Sequence, residues 1–187
     1  MAYKDETLIF ASDKIYYTDE SETELEVMMD WEDDIMKASA DYVCEGGGDI
    51  LEIGFGMGIA ADYIQANSIT SHTIVENHPQ VIERAKAWAV GKSNVTIVEG
   101  DWYAIKDSLS TYDGIFYDTW ADDDTDHFVD VLPTLAKSGA KTTWWNNYTN
   151  SDDVFFINGT TYESISVDPS NNMYFNSNTY YLPKKQF

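Results

Sequence analysis

Ile50-Leu51-Glu52-Ile53-Gly54-Phe55-Gly56-Met57-Gly58-Ile59 is the stretch that decides the fold. It is an apolar run carrying one acid, followed by glycines at alternate positions. A short run rich in Ile and Leu suits a buried parallel strand better than a helix. Gly54 lets the chain turn sharply as it leaves the strand, and Gly56 lets a ligand approach the backbone closely. The residues that follow, Ile-Ala-Ala-Asp-Tyr-Ile-Gln at 59–65, read as a helix whose first free amides point into the turn. Strand, glycine turn and helix in this order make a nucleotide-type site.

Outward from this centre, strand and helix alternate. Thr73–Glu76 is a second strand ending in an acid, and Pro79 opens a helix running to about Val90. Val95–Val98 is a third strand, leading into Glu99-Gly100-Asp101-Trp102 and a short helix. Gly114–Asp118 is a fourth strand, again ending in an acid. A helix over Asp126–Lys137 leads to a fifth strand around Lys141–Trp145. Such alternation predicts a mostly parallel sheet with helices on both faces. The tail, Thr160–Val167 and Met173–Leu182 around a turn at Asp168–Asn172, reads as an antiparallel hairpin. Ahead of the first strand, Ser21 and Glu24 have capping-box spacing, so a helix is expected from Ser21 up to Gly46-Gly47-Gly48. Residues 1–20 have no clear period.

The chain of 187 residues, 43% of them hydrophobic, fits one domain with a real core. The expected organisation is an N-terminal lid and helix over 1–48, a parallel core over 49–146 and a hairpin over 147–187. Eleven basic against 33 acidic residues leave a net charge of −22. This acidic surface repels nucleic-acid phosphates and anionic membranes, so neither is expected as a partner. It attracts cations, although the same excess also serves solubility, in a saline environment for example. Cys44 is the only cysteine, and the first residues carry neither a basic nor an apolar segment. Both facts point to a reducing, cytoplasmic setting. No Cys/His cluster has metal-ligand spacing, so no metal is expected.

In an open parallel sheet, ligands bind beyond the C-terminal ends of the strands. Glu76, Asp101 and Asp118 all stand at such ends. Glu76 either accepts hydrogen bonds from both ribose hydroxyls of a nucleoside or is a solvated strand-end acid. Asp101 and Trp102 either hold an adenine ring or are a loop acid and a core tryptophan. Of the histidines, His78 follows the ribose acid, while His72 and His127 read as surface residues.

The glycine spacing separates two nucleotide classes. A dinucleotide site needs Gly-x-Gly-x-x-Gly, which would put the third glycine at 59, where this chain has Ile. The pattern Glu-x-Gly-x-Gly-x-Gly resembles that of class I S-adenosylmethionine-dependent methyltransferases. More narrowly, Val27-Met28-Met29-Asp30-Trp31-Glu32, Met36, Leu51–Met57 and Tyr117-Asp118-Thr119 resemble guanidinoacetate N-methyltransferase and related arginine N-methyltransferases. The likeness implies the Rossmann-like class I fold, with S-adenosylmethionine as cofactor. It implies that Met28 and Met36 contact the cofactor and that Phe55, Gly56, Met57, Gly58, Ile59 and Ala60 wrap its amino acid end. Glu76 would hold the ribose, with Asn77 and His78 beside it, and Asp101 and Trp102 the adenine. Glu32 and Asp118 would grip a guanidinium, with Asp118 also touching the cofactor and taking the acceptor's proton. Thr149 and Asn150 stand where the family binds a substrate carboxylate. The implied reaction is methylation of a guanidino nitrogen on a small molecule such as guanidinoacetate. The alternatives are a protein arginine N-methyltransferase and a non-catalytic binding module.

Two departures matter. Arg84 is the sole arginine, so none stands near the N-terminus to clamp a carboxylate, and Lys14 or backbone amides are left for that task. The chain is also short at both ends, which leads to the expectation of a reduced lid, or of one supplied by a second subunit in a homodimer.

Overall fold

A computed structural model describes residues 3–120, 124–148, 155, 157–169 and 172–187. The chain opens with three short strands, β1 (Ile9–Phe10), β2 (Lys14–Thr18) and β3 (Glu24–Met29), which form a separate antiparallel sheet. Then come α1 (Asp33–Cys44), β4 (Asp49–Ile53), α2 (Ile59–Ala66), β5 (Ser71–Glu76), α3 (Pro79–Ala89) and β6 (Val95–Glu99). The remainder is α4 (Trp102–Ile105), β7 (Tyr112–Tyr117), α5 (Phe128–Leu135), β8 (Ala136–Trp144), β9 (Thr161–Ser166) and β10 (Thr179–Gln186).

The second sheet has the order β6-β5-β4-β7-β8-β10-β9. Its first five strands run parallel, and β10 pairs antiparallel with both β8 and β9. The strand order reverses between β4 and β7, which is where an open sheet of this kind forms its crevice. Apolar side chains cover both faces of β4. Ile50 packs with Ile35, Met36 and Val43 of α1 and Ile64 of α2. Leu51 and Ile53 pack with Phe128, Leu132 and Leu135 of α5 on the other side. Ile50, Leu51 and Ile53 are at most 1% exposed, and each stabilises the fold by about 1.5–3 kcal/mol through burial.

The helix expected from Ser21 starts instead at Asp33. Asp19 Oδ1 accepts the amides of Ser21 (2.8 Å) and Thr23 (2.9 Å), making a turn rather than a helix cap. Glu24-Leu25-Glu26-Val27 then alternates acid with apolar side chain and pairs with β2, Tyr16 opposite Glu26. That two-residue period is a strand signal. The genuine helical stripe begins at Ile35 and continues through Met36, Ser39, Ala40 and Val43. The last strand also begins later than Met173 and runs past Leu182. Pro183 has no N–H to give a sheet, but β10 pairs with β8 only beyond it, at Lys185 and Gln186. No helix among the described residues is long and apolar enough to cross a membrane.

Candidate active site

At the C-terminal ends of β4, β5 and β7 lies a cavity of about 480 Å³, within the usual range for small-molecule sites. Its floor is fixed by backbone hydrogen bonds that continue the sheet: Gly54 N to Val75 O (2.9 Å), Asp118 N to Ile53 O (2.9 Å) and Trp145 N to Tyr117 O (3.0 Å). Gly54 has φ +94°, and a Cβ there would fall 1.8 Å from the Asp118 carbonyl oxygen. Only glycine therefore lets the turn pass so close to β7. Gly56, at φ +53°, has Met28 Sδ 2.5 Å from where its Cβ would stand, and the Met57 amide donates to that sulfur at 3.1 Å. Met28 thus closes one side of the glycine turn.

Glu76 ends β5 and is nearly buried. Its Oε2 accepts from the Phe55 amide at 2.9 Å, and its Oε1 accepts from the amides of Asn77 (2.9 Å) and His78 (2.8 Å). A carboxylate has about four acceptor positions, so this side chain is fixed yet keeps room for a ligand hydroxyl.

Glu32 sits in the 3-10 turn between β3 and α1 and is 3% exposed. Its Oε1 accepts from the Met29 amide (2.8 Å) and from the Tyr174 hydroxyl (2.6 Å). Both Glu32 and Asp118 line the cavity. Burial raises the pKa of Glu32, and the Asp118 charge raises it further, while the Tyr174 hydroxyl and the Met29 amide pull it back. Asp118 is raised by burial and then by the charge of Glu52. A planar cation between the two would relieve both effects and match the bidentate geometry of carboxylates.

Of the residues singled out from sequence, Met28, Glu32, Met36, Phe55, Gly56, Ala60, Glu76, Asn77, Trp102 and Asp118 line this cavity. Met57, Gly58, Ile59 and His78 lie beside it, and Gly58 caps α2 from a left-handed φ of +81°. Asp101 is not in the wall. It caps α4, its Oδ1 accepting from the Ala104 amide at 2.9 Å. Trp102 serves wall and core together, packing edge-on against Tyr117 and Phe128. Thr149 and Asn150 lie outside the described residues.

The sequence reading missed Tyr3, Glu52, Trp120, Trp145 and Tyr174, which also line the cavity. Parity along β4 was the available signal for Glu52. Tyr3 comes from a segment without a period, and for the three other aromatics no local pattern marks a cavity wall. His72 is a correction: it is fully buried rather than on the surface, because its carboxylate partner, Glu52, is buried with it. All eleven basic residues are described, and none lines the cavity. Lys14 pairs with Glu24 at 2.5 Å, and the Arg84 guanidinium lies 3.7 Å from the centre of the Phe10 ring.

The model of the family described as guanidinoacetate N-methyltransferase matches residues 11–165. The chain belongs to that family. Among curated relatives it is similar to "Protein arginine N-methyltransferase 2" of Yarrowia lipolytica, 35% identical over 150 residues, covering 70% of this chain and 31% of the relative. The protein of that name from Candida glabrata is 42% identical over 120 residues, covering 57% and 27%. The Saccharomyces cerevisiae protein is 35% identical over 144 residues, covering 71% and 31%. The chain thus spans about three tenths of the length of these relatives. Among solved structures, a precorrin-6y C5,15-methyltransferase from Geobacter metallireducens has TM-score 0.57 at 14% identity, covering 90% of this chain and 91% of that one. SMU.776, solved with SAH, has TM-score 0.62 at 10% identity, covering 96% and 57%. These likenesses carry the fold: a Rossmann-like class I methyltransferase sheet closed by an antiparallel hairpin.

The family's methyl donor is S-adenosylmethionine, and the residues present fit it. The glycine turn leaves open space where side chains would collide, and Glu76 keeps an acceptor position beside that turn. Among the described residues, the cavity wall carries four carboxylates and no basic group, which suits a cationic sulfonium.

Proposed function

We propose that this chain is an N-methyltransferase acting on a guanidino nitrogen, and that the acceptor is an arginine side chain of a protein or peptide. The observation that carries this reading is the wall itself: Glu32 and Asp118 face one cavity that no lysine or arginine lines. A guanidinium is welcome there. An acceptor with its own carboxylate a few ångströms away, such as guanidinoacetate, meets repulsion from the acids instead. The name of the curated relatives, protein arginine N-methyltransferase 2, supports the same choice.

On this reading Glu32 and Asp118 fix the plane of the guanidinium, and most of the rate gain is positioning. Glu32 is held by two hydrogen bonds on one oxygen and turns the other to the cation. Asp118 is the general base. A guanidinium holds its protons tightly, and a carboxylate with raised proton affinity is suited to accept one as the new N–C bond forms. Bound S-adenosylmethionine supplies the electrophilic methyl group. Met28, Met36 and residues 55–60 would hold its amino acid end, Glu76 its ribose and Trp102 its base. The N-terminal sheet, with Tyr3, would cover the donor.

Guanidinoacetate is the second reading, favoured by the description of the family model. Its carboxylate would have to rest on neutral donors such as Asn147 and Trp120 Nε1, which has no partner among the described residues. Incubation with S-adenosylmethionine and either guanidinoacetate or arginine-containing peptides decides between them. Methyl transfer to peptide arginine with guanidinoacetate idle is the expected result. Efficient turnover of guanidinoacetate would overturn the choice of acceptor, and turnover of neither would remove the guanidino reading.

A further inference from the structure

Glu52 and His72 form a buried pair that the reaction above does not use. Glu52 is 1% exposed and His72 is 0% exposed. They stand on adjacent parallel strands in registers Ile50 opposite His72 and Glu52 opposite Ile74. Both side chains leave the sheet on the same face, so the imidazole reaches diagonally to the carboxylate. His72 Nε2 lies 2.8 Å from Glu52 Oε2. On the other edge of the ring, Nδ1 lies 3.3 Å from Nε2 of Gln65, on α2. An amide nitrogen only donates, so Nδ1 accepts, and the ring proton sits on Nε2 facing Glu52. The other carboxylate oxygen, Oε1, is buried and has no hydrogen-bond partner among the described residues. Glu52 nonetheless lines the cavity, beneath the glycine turn that opens α2.

A buried acceptor left without a donor is destabilising, the more so when the group is charged. Such a group in a cavity wall is a place for a ligand's N–H. Its neighbours Glu76 and Asp118 are themselves acids whose oxygens are acceptors when ionised, so a cationic ligand is the matching donor. Residues 55–60, directly above, are those assigned to the amino acid end of S-adenosylmethionine, whose ammonium is a triple donor.

We infer that Gln65 and His72 are positioning residues: together they turn Glu52 so that Oε1 faces the ammonium of the bound donor. His72 occupies Oε2, fixes the rotamer of the acid, and by its hydrogen bond opposes the upward push of burial on the Glu52 pKa. The inference rests on the donor lying in this cavity, and the test separates the two.

The experiment measures binding of S-adenosylhomocysteine and of 5′-methylthioadenosine, which lacks the amino acid end, by calorimetry on the full chain. Wild-type protein should bind both; failure to bind either would remove the donor site itself. In His72→Leu, S-adenosylhomocysteine should bind about tenfold or more weaker, the scale of a lost hydrogen bond to a charged group. Methylthioadenosine should stay within about twofold on the same scale. His72→Gln, whose amide can donate from the same place, should recover most of the loss. Should His72→Leu not fold, Gln65→Leu supplies the same comparison with a smaller effect. Equal loss for both ligands, or no loss for either, would overturn the inference and leave His72 a core residue. So would a defect confined to the KM of the acceptor.

Discussion

Tyr174→Phe offers the sharpest examination of the acceptor site. The substitution keeps the ring, which stacks on Trp31 at 5.8 Å, and removes only the hydroxyl that donates to Glu32 at 2.6 Å. A hydrogen bond to a charged group contributes about 1.5–3 kcal/mol, and one pKa unit corresponds to about 1.4 kcal/mol. The Tyr174 bond stabilises the ionised form of Glu32, so its loss lifts an already raised pKa by a further ~1–2 units. At neutral pH the ionised fraction falls, and with it the grip on a guanidinium. The expected outcome is a drop of about 10- to 100-fold in kcat/KM for the acceptor, with the acid limb of its pH profile moved up by ~1–2 units. Affinity for S-adenosylhomocysteine should stay within about twofold, because the donor end does not touch Glu32 on this reading. The assay is initial-rate formation of S-adenosylhomocysteine across pH 5–9, with calorimetry alongside. An unchanged acid limb with unchanged acceptor kcat/KM, or an equal loss of donor affinity, would refute the reasoning.

Other outcomes follow from the same geometry. Asp118→Asn should lower turnover by at least ~100-fold while S-adenosylhomocysteine binding remains within a few fold, as single-turnover kinetics would reveal. Gly56→Ala forces a β-carbon against Met28 Sδ in a left-handed backbone, and should cost ~1 kcal/mol or more of stability together with a clear loss of donor affinity. Glu32→Gln should change the dependence of stability on pH. A carboxyl whose folded pKa lies above its unfolded value takes up a proton on folding, so the wild type loses stability as pH rises from the ordinary carboxylate range toward neutrality. The melting temperature of Glu32→Gln should therefore exceed that of the wild type near pH 8 and converge with it near pH 5. Leu132→Ala empties a fully buried position and should cost about 2–5 kcal/mol by denaturant unfolding.

Four of the five parallel strands were legible because each is short, largely apolar and closed by an acid or glycine; β8, nine residues long with two lysines, has no such ending. Ile50–Ile59 alone gave the crevice, and the parity of acids at strand ends gave Glu76 and Asp118. The N-terminal sheet was not legible as a sheet. Ser21 and Glu24 imitate a helix cap, and Met28 and Met29 merge with the real helical stripe that begins at Ile35. Tyr174 was hidden for a different reason. It reaches Glu32 from a loop 142 residues along the chain, and local patterns carry no information about such closures. His72 looked polar and exposed because nothing in its own strand announces a buried acid one register over. Asp101 is a strand-end acid of another kind: one of its oxygens is taken by the helix it caps.

Residues 76–80 have a consequence of their own. Within five positions, Glu76 clasps the glycine turn, the His78 ring reaches the carbonyl of Glu6 at 3.1 Å, and the Gln80 amide group meets both the N–H and the C=O of Leu8. The segment carrying Tyr3 over the cavity is therefore fastened to the same short hinge that carries Glu76. Whatever loosens that hinge slackens the roof and one wall together, so damage at His78 or Gln80 would shorten donor residence without either side chain lining the cavity.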